Sequence, residues 1–497
     1  MLAGLKKVAD LSNGLVAAYH HAKPVVLIQH ELSLVFINRM KIMTSTSTTT
    51  ETTQTPSPVS LWDAFKFWLK VGFISFGGPA GQISLLHKEL VEDKRWISER
   101  RFLHALNYCM VLPGPEAQQL ATYIGWLMHR TWGGIMAGVL FVLPSLFILI
   151  GLSWIYIAYG SLPLVAGLFY GIKPAVTAIV LQAAHRIGSR ALKNNVLWAI
   201  AGASFVAIFA LNAPFPLIVL IAAAVGYFGG RMSPETFKTG GGHGAAKASF
   251  GKAIIDDDTP TPAHALWTWS RFVRVAVIGF LLWAIPLAAI VACFGWEHTY
   301  SQMSWFFTKA ALLTFGGAYA VLPYVYQGAV DGFGWLSATQ MIDGLALGET
   351  TPGPLIMVVA FVAFVGGYLK ALLGTQALFL AGTLAACIVT WFTFLPSFIF
   401  ILMGGPFIET THNDLKFTAP LTAITAAVVG VILNLALFFG YHVLWPMGLK
   451  GGFGSFDWIS ALITIAAAIA LFKYKRNVIH VIAISALVGL AVKSLAS

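Results

Sequence analysis

The polar residues best placed for chemistry in this chain stand beside breaks in its backbone. Glu116, Gln118, Gln119 and Tyr123 follow Pro113-Gly114-Pro115, while Glu349, Thr350 and Thr351 precede Pro352-Gly353-Pro354. A second kind of break, Phe-Gly-Gly, places Gly77 and Gly78 before Pro79 and Gln82, and it returns at Gly316 and Gly317. Glycine lets backbone approach closely, and proline suits a first helical turn, where no N–H is required. A helix starting at such a break points free N–H groups outward, and its macrodipole adds about half a positive charge, so a small anion is held without a buried Lys or Arg. The amides of Gln118 and Gln119 and the hydroxyls of Thr350 and Thr351 add donors, and the threonines are placed to cap the helix that Pro354 begins. Helical spacing puts Glu116, Gln119 and Tyr123 on one face.

The elements that must carry these groups are membrane helices. Of 497 residues, 58% are hydrophobic and 10% charged, against about 25% charged in soluble domains. Apolar runs near 131–158, 162–184, 196–212, 214–229, 275–296, 375–404, 418–440, 457–472 and 478–494 mostly approach or exceed the roughly 20 residues that cross hydrocarbon as a helix. Membrane barrels show weak alternating segments instead, so the fold class is an all-α polytopic membrane protein. The net charge of +11 suits basic cytoplasmic loops, and with no nucleic-acid motif it does not point to nucleic acid. Lipid is the surrounding partner. Cys109, Cys293 and Cys387 lie in apolar sequence without a CxxC pair, so no disulfide framework, metal site or cofactor is indicated. Residues 1–60 read as a poorly ordered tail, since the Ser/Thr/Pro-rich run from Thr44 to Pro58 buries too little apolar surface to order itself.

The breaks belong to a repeat. Gly77-Gly78 and Gly316-Gly317, the two Pro-Gly-Pro motifs, and Trp96-Ile97-Ser98 with Trp335-Leu336-Ser337 are all 239 residues apart. Beyond a 13-residue insertion, Leu143-Pro144-Ser145 meets Leu395-Pro396-Ser397 and Gln182 meets Asn434 at an offset of 252. The reading is a first copy over 61–229, a polar cytoplasmic linker over 230–270, a connecting span over 271–300 and a second copy over 301–497. Lys88, Lys94, Arg95, Arg100 and Arg101 crowd one loop, while its counterpart from Gln327 to Gln340 has no Lys or Arg. Basic loops stay cytoplasmic, so the copies have inverted topology, and the clusters Arg186/Arg190/Lys193 and Lys473/Lys475/Arg476 agree. Each copy opens with two helical pairs, 61–75 with 79–92 and 99–112 with 115–129 in the first, and each pair returns to its starting side whether re-entrant or spanning.

Inverted repeats with broken helices bind ligands where half-helix ends converge near the midplane. Irregular backbone there must be buried in protein or line a watery cavity. Glu116 and Glu349 are candidates for proton coupling or gating, because an ionised carboxylate on an anion path repels a dianion and intramembrane ionisable groups are costly. An ordinary dipole partner remains an open alternative for Glu116. His87, Lys88 and Arg95 are placed to attract anions at a cytoplasmic mouth, although topology alone also accounts for the basic residues.

The blocks FGGPAGQISLLHKEL, DKRWISERRFLHAL and PGPEAQQLATYIGW, with FGGAYAVLPYV and GETTPGPLIM in the second copy, resemble those of the chromate ion transporter family in its long, two-domain form. The likeness runs from about Leu61 to the C-terminus. It implies an inner-membrane carrier that exports chromate and confers chromate resistance, with sulfate as a competing relative. Uptake of sulfate or another oxyanion is the alternative, and a channel or sensor and a homodimer also stay open. The chain lacks HExxH, a GxGD pair and paired redox cysteines, which argues against an intramembrane enzyme.

Overall fold

The computed structural model describes residues 56–160, 162–237, 250–410, 418–446, 448 and 455–496. Most of the N-terminal tail, and Lys238 and Lys247 of the linker, lie outside them. The fold is all-α: the described residues form sixteen α-helices and no extended sheet. In the first half come α1 (Leu61–Ile74), α2 (Gly78–His87), α3 (Glu99–Val111), α4 (Glu116–Tyr159), α5 (Pro163–Ala191), α6 (Asn195–Leu211) and α7 (Phe215–Met232). A lone helix, α8 (Trp269–Phe294), follows. The order then recurs as α9 (Thr299–Leu312), α10 (Ala318–Tyr326), α11 (Ala338–Thr350), α12 (Val358–Leu369), α13 (Leu378–Thr410), α14 (Thr418–Leu444), α15 (Trp458–Phe472) and α16 (Val478–Ala496).

Seven helices, α4, α5, α7, α8, α13, α14 and α16, are long and apolar enough to cross a membrane. The other two expected spans are helical but shorter, α6 with 17 residues and α15 with 15, or about 25 and 22 Å at 1.5 Å per residue. The helices flanking the breaks are shorter still. The longest of these separate segments, α1 and α9, have 14 residues, about 21 Å, which falls short of roughly 30 Å of hydrocarbon. Each such arm beside a break is termed a half-helix. The first arm of α4 belongs with them, because non-helical backbone at His129 (φ −132°) and Arg130 (φ 58°) separates it from the long second arm. The second copy makes the same transition through a loop over 370–377 between α12 and α13, which is where the register insertion falls.

Caps and turns repeat with the helices. Ser98 accepts from Arg101 N at 3.3 Å and Ser337 from Gln340 N at 3.2 Å, starting α3 and α11. A π-helical turn ends each preceding half-helix, at Lys88–Asp93 and Gln327–Gly332. Part of the linker, read from sequence only as a polar joint, docks on the first of these loops. Ile254 N and Ile255 N donate to the carbonyls of Arg95 and Trp96 at 3.0 Å each, and Ser98 N donates to Ile255 O at 2.9 Å. Ser98 Oγ also donates to Asp257 Oδ1 at 2.6 Å. Further on, His264 pairs with Trp126 O at 2.9 Å, and burial holds its imidazole below the usual histidine range.

Candidate functional site: the crossing of four helix breaks

The breaks of the two halves meet, and they brace one another reciprocally. Gly114 N donates to Thr314 O at 2.7 Å, and Gly353 N donates to Ser75 O at 2.8 Å. Each Pro-Gly-Pro of one copy thus ties to the residue two before Gly-Gly in the other. The Leu-Pro-Ser motifs complete the crossing. A Cβ on Gly114 would lie 2.4 Å from Ser397 Oγ, and one on Gly353 would lie 2.8 Å from Ser145 Cβ. Both glycines have positive φ, 128° and 101°, in a region that L-residues avoid. Gln82 Nε2 donates to Gly353 O, and a Cβ on Gly317 would lie 3.9 Å from Pro79 Cγ, so the Gly-Gly turns also face each other.

This geometry assigns the donors differently from the sequence reading. The amides of Gly114 and Gly353 are consumed as braces. Among the described residues, those of Gly78 and Ala80 in α2, Glu116 and Ala117 in α4, Gly317 and Ala318 at α10, and Leu355 and Ile356 after Pro354 have no acceptor. These are the orphan first-turn donors of four helix starts, drawn from both halves. Ala80 is exposed and Gly78 and Glu116 are half-buried, while the others are buried; unpaired buried N–H groups are rare and costly, so they call for water or an anion.

The expected side chains fall into several settings. Gln118 and Gln119 are fully buried; Gln118 Nε2 donates to Thr122 Oγ1 at 3.0 Å and Gln119 Nε2 to Pro113 O at 2.8 Å, leaving both amide oxygens without a partner. Glu116 is partly exposed at the start of α4 and has no ionic or hydrogen-bond partner among the described residues. Glu349 accepts from Tyr319 OH, with Arg186 within electrostatic reach. The threonines do not cap the turn after Pro354. Thr350 Oγ1 donates back to Leu347 O at 3.0 Å and Thr351 Oγ1 to the same carbonyl at 2.6 Å, satisfying one carbonyl in the last turn of α11. Tyr123 pairs with Glu409; its hydroxyl donates to Glu409 Oε1 at 2.5 Å, and Arg101 Nη1 lies 3.8 Å from Glu409 Oε2.

At the expected mouth, His87 is held between carboxylates, Nδ1 with Glu92 at 3.0 Å and Nε2 with Glu99. Arg95 borders the linker, its guanidinium 3.1 Å from where a Cβ on Gly251 would sit, and Lys88 is exposed. Among the described residues no group of three or more His, Cys, Asp or Glu is placed to hold a metal ion. One part-buried cluster escaped the sequence reading: Lys173 Nζ lies 3.3 Å from Asp343 Oδ2, which also accepts from Tyr156 OH at 2.8 Å. A lone lysine in the apolar run 162–184 was the available signal.

Comparison with known proteins fits this division. The family described as chromate transporter matches in two segments, residues 62–227 and 301–490. A chromate transport protein of Pseudomonas aeruginosa is 33% identical over 380 residues, covering 76% of this chain and 80% of its own length. One from Cupriavidus metallidurans is 28% identical over 425 residues, covering 85% and 91%. An uncharacterized transporter of Bacillus subtilis is 28% identical over 165 residues, 32% of this chain but 83% of that protein. No solved structure matches the chain.

Proposed function

Because the chain belongs to the chromate transporter family, we propose that it is a secondary transporter exporting chromate across the cytoplasmic membrane and so conferring chromate resistance. The observation that carries this reading is the convergence of unpaired helix-start amides from both halves at one braced crossing. Such ends concentrate partial positive charge. A tetrahedral dianion has acceptors on every face, so it can take donors from several helices at once. The relatives from Pseudomonas aeruginosa and Cupriavidus metallidurans, both chromate transport proteins, support the choice of anion.

The basic loop at Lys88–Arg101 and its counterpart, which has no Lys or Arg, support opposite orientations for the two copies, joined by α8. Export follows the membrane potential. One charge moving through 100 mV is worth about 2.3 kcal/mol, so a dianion leaving an inside-negative cell gains roughly 4.6 kcal/mol, more than three decades of gradient. Glu116, beside the unpaired amides without a partner, is the proposed coupling carboxyl: neutral, it tolerates the dianion; ionised, it repels it.

Sulfate presents the same tetrahedral acceptors, so uptake of sulfate is the competing reading. Counterflow in proteoliposomes separates the two. The expected result is saturable counterflow of labelled chromate with sulfate as a weaker competitor. Saturable flux of sulfate that chromate does not inhibit would replace chromate, and unsaturable flux would point to a channel.

A further inference from the structure

We propose that Lys173 is an anion-binding cation of this path, and that in the present conformation Asp343 occupies it in place of the substrate. The inference rests on the transport reading above for the anion's identity. Lys173 is the eleventh residue of the 29-residue α5, about 15 Å along the helix, and a charge at such depth is costly and points to function. Its partner Asp343, on half-helix α11, is only 2% exposed. The pair is incomplete. Lys173 and Tyr156 both converge on Oδ2, and Oδ1 is buried without any partner. A purely structural buried ion pair needs its remaining lone pairs satisfied to offset desolvation. Here the carboxylate is left half-served, and the lysine side chain stays 26% exposed.

The repeat shows where Lys173 belongs in the other conformation. The 252-residue register that aligns the two Leu-Pro-Ser motifs sets Lys173 opposite Thr425. Thr425 stands at the Gly-Gly turn of its own copy, its Oγ1 3.5 Å from where a Cβ on Gly316 would be. The equivalent place for Lys173 is beside Gly77, yet a Cβ on Gly77 would meet only Gly81 within 4 Å. The cause lies in the packing of the half-helices. α10 lies against α14, whereas α2 and α5 make no comparable contact. Every residue of α10 is buried, while α2 buries only Gln82 and Leu86 and leaves Ala80 and Ser84 exposed.

One copy is therefore closed on its turn and the other is open. Carriers of this build work by exchanging such arrangements between their repeats. When α2 closes on α5, Lys173 comes beside the unpaired amides of Gly77 and Gly78, and the cation joins the anion's donors. Asp343 is the internal counter-ion that the substrate displaces.

The test measures equilibrium binding of labelled chromate and labelled sulfate to the purified full-length chain, alongside uptake in vesicles. Asp343→Asn is expected to tighten binding about tenfold and lower KM while slowing turnover. Lys173→Gln is expected to weaken binding at least tenfold, and Lys173→Arg to retain most of it. The double variant, which leaves no unpaired buried charge, keeps folding and is expected to bind as weakly as Lys173→Gln. If the pair only holds the fold, both single variants lose folded protein and the double variant regains wild-type affinity and transport, which overturns the proposal. Wild-type transport of chromate with affinities unchanged in Asp343→Asn and Lys173→Gln also overturns it while leaving the transport reading intact. The expected affinity changes in a chain that moves neither anion would instead sustain Lys173 as a binding residue and defeat the transport reading.

Discussion

Glycines at the crossing do two different jobs, and substitution separates them. A side chain at Gly114 meets Ser397 Oγ at 2.4 Å and Gln119 Nε2 at 2.6 Å, on backbone with φ 128°. Strain and overpacking together cost about 2–4 kcal/mol. Gly78 has φ 67° and nothing within 4 Å of its Cβ position, so Gly78→Ala carries mainly the left-handed penalty of about 1–2 kcal/mol. Gly114→Ala is therefore expected to abolish chromate uptake in vesicles and lower Tm, and Gly78→Ala to do far less; equal loss in both would contradict the brace. The positions of these glycines were legible because the motifs recur at fixed offsets. The partners were not. Gly114 with Thr314, Tyr123 with Glu409 and Lys173 with Asp343 join residues at least 170 positions apart, and no local pattern encodes such pairings. The threonines were read as caps because a Thr before one helix start also stands at the end of the preceding helix, and the Leu347 carbonyl of α11 takes both hydroxyls.

Among the elements, α3 and α11 start at serine caps, and the linker docks on the loop before α3. Ser98 serves both, accepting from Arg101 N and donating to Asp257. Ser98→Ala removes a cap and a charge-assisted bond and is expected to cost the α3 hairpin about 1–3 kcal/mol. Faster hydrogen exchange over residues 99–106, with α11 unchanged, is the measurement that checks it. The existence of these helices was readable from apolar runs and Gly/Pro punctuation. Whether they are hairpin arms or spans was left open in the sequence, because 61–75 and 79–92 are each compatible with either; in the structure the α-helices over these runs have 14 and 10 residues. The docked stretch at Ile254-Ile255 was hidden because two isoleucines in a polar linker carry no periodicity.

Across the whole molecule, one shared anion path requires two copies of opposite orientation whose breaks meet. A single cysteine at Arg100, in a chain whose native cysteines have been replaced, is expected to react with an impermeant thiol reagent only from the cytoplasmic side, and one at Thr339 only from outside; reaction from the same side would end the inversion. The most direct measurement is a crosslink between Gln119→Cys and Ser397→Cys, positions whose native side chains approach to 3.5 Å across the two halves. A short bifunctional thiol reagent is expected to join them in native membranes, and saturating sulfate is expected to slow the reaction by filling the crossing. A double-cysteine chain that transports chromate normally, yet neither crosslinks nor responds to sulfate, would contradict a shared crossing.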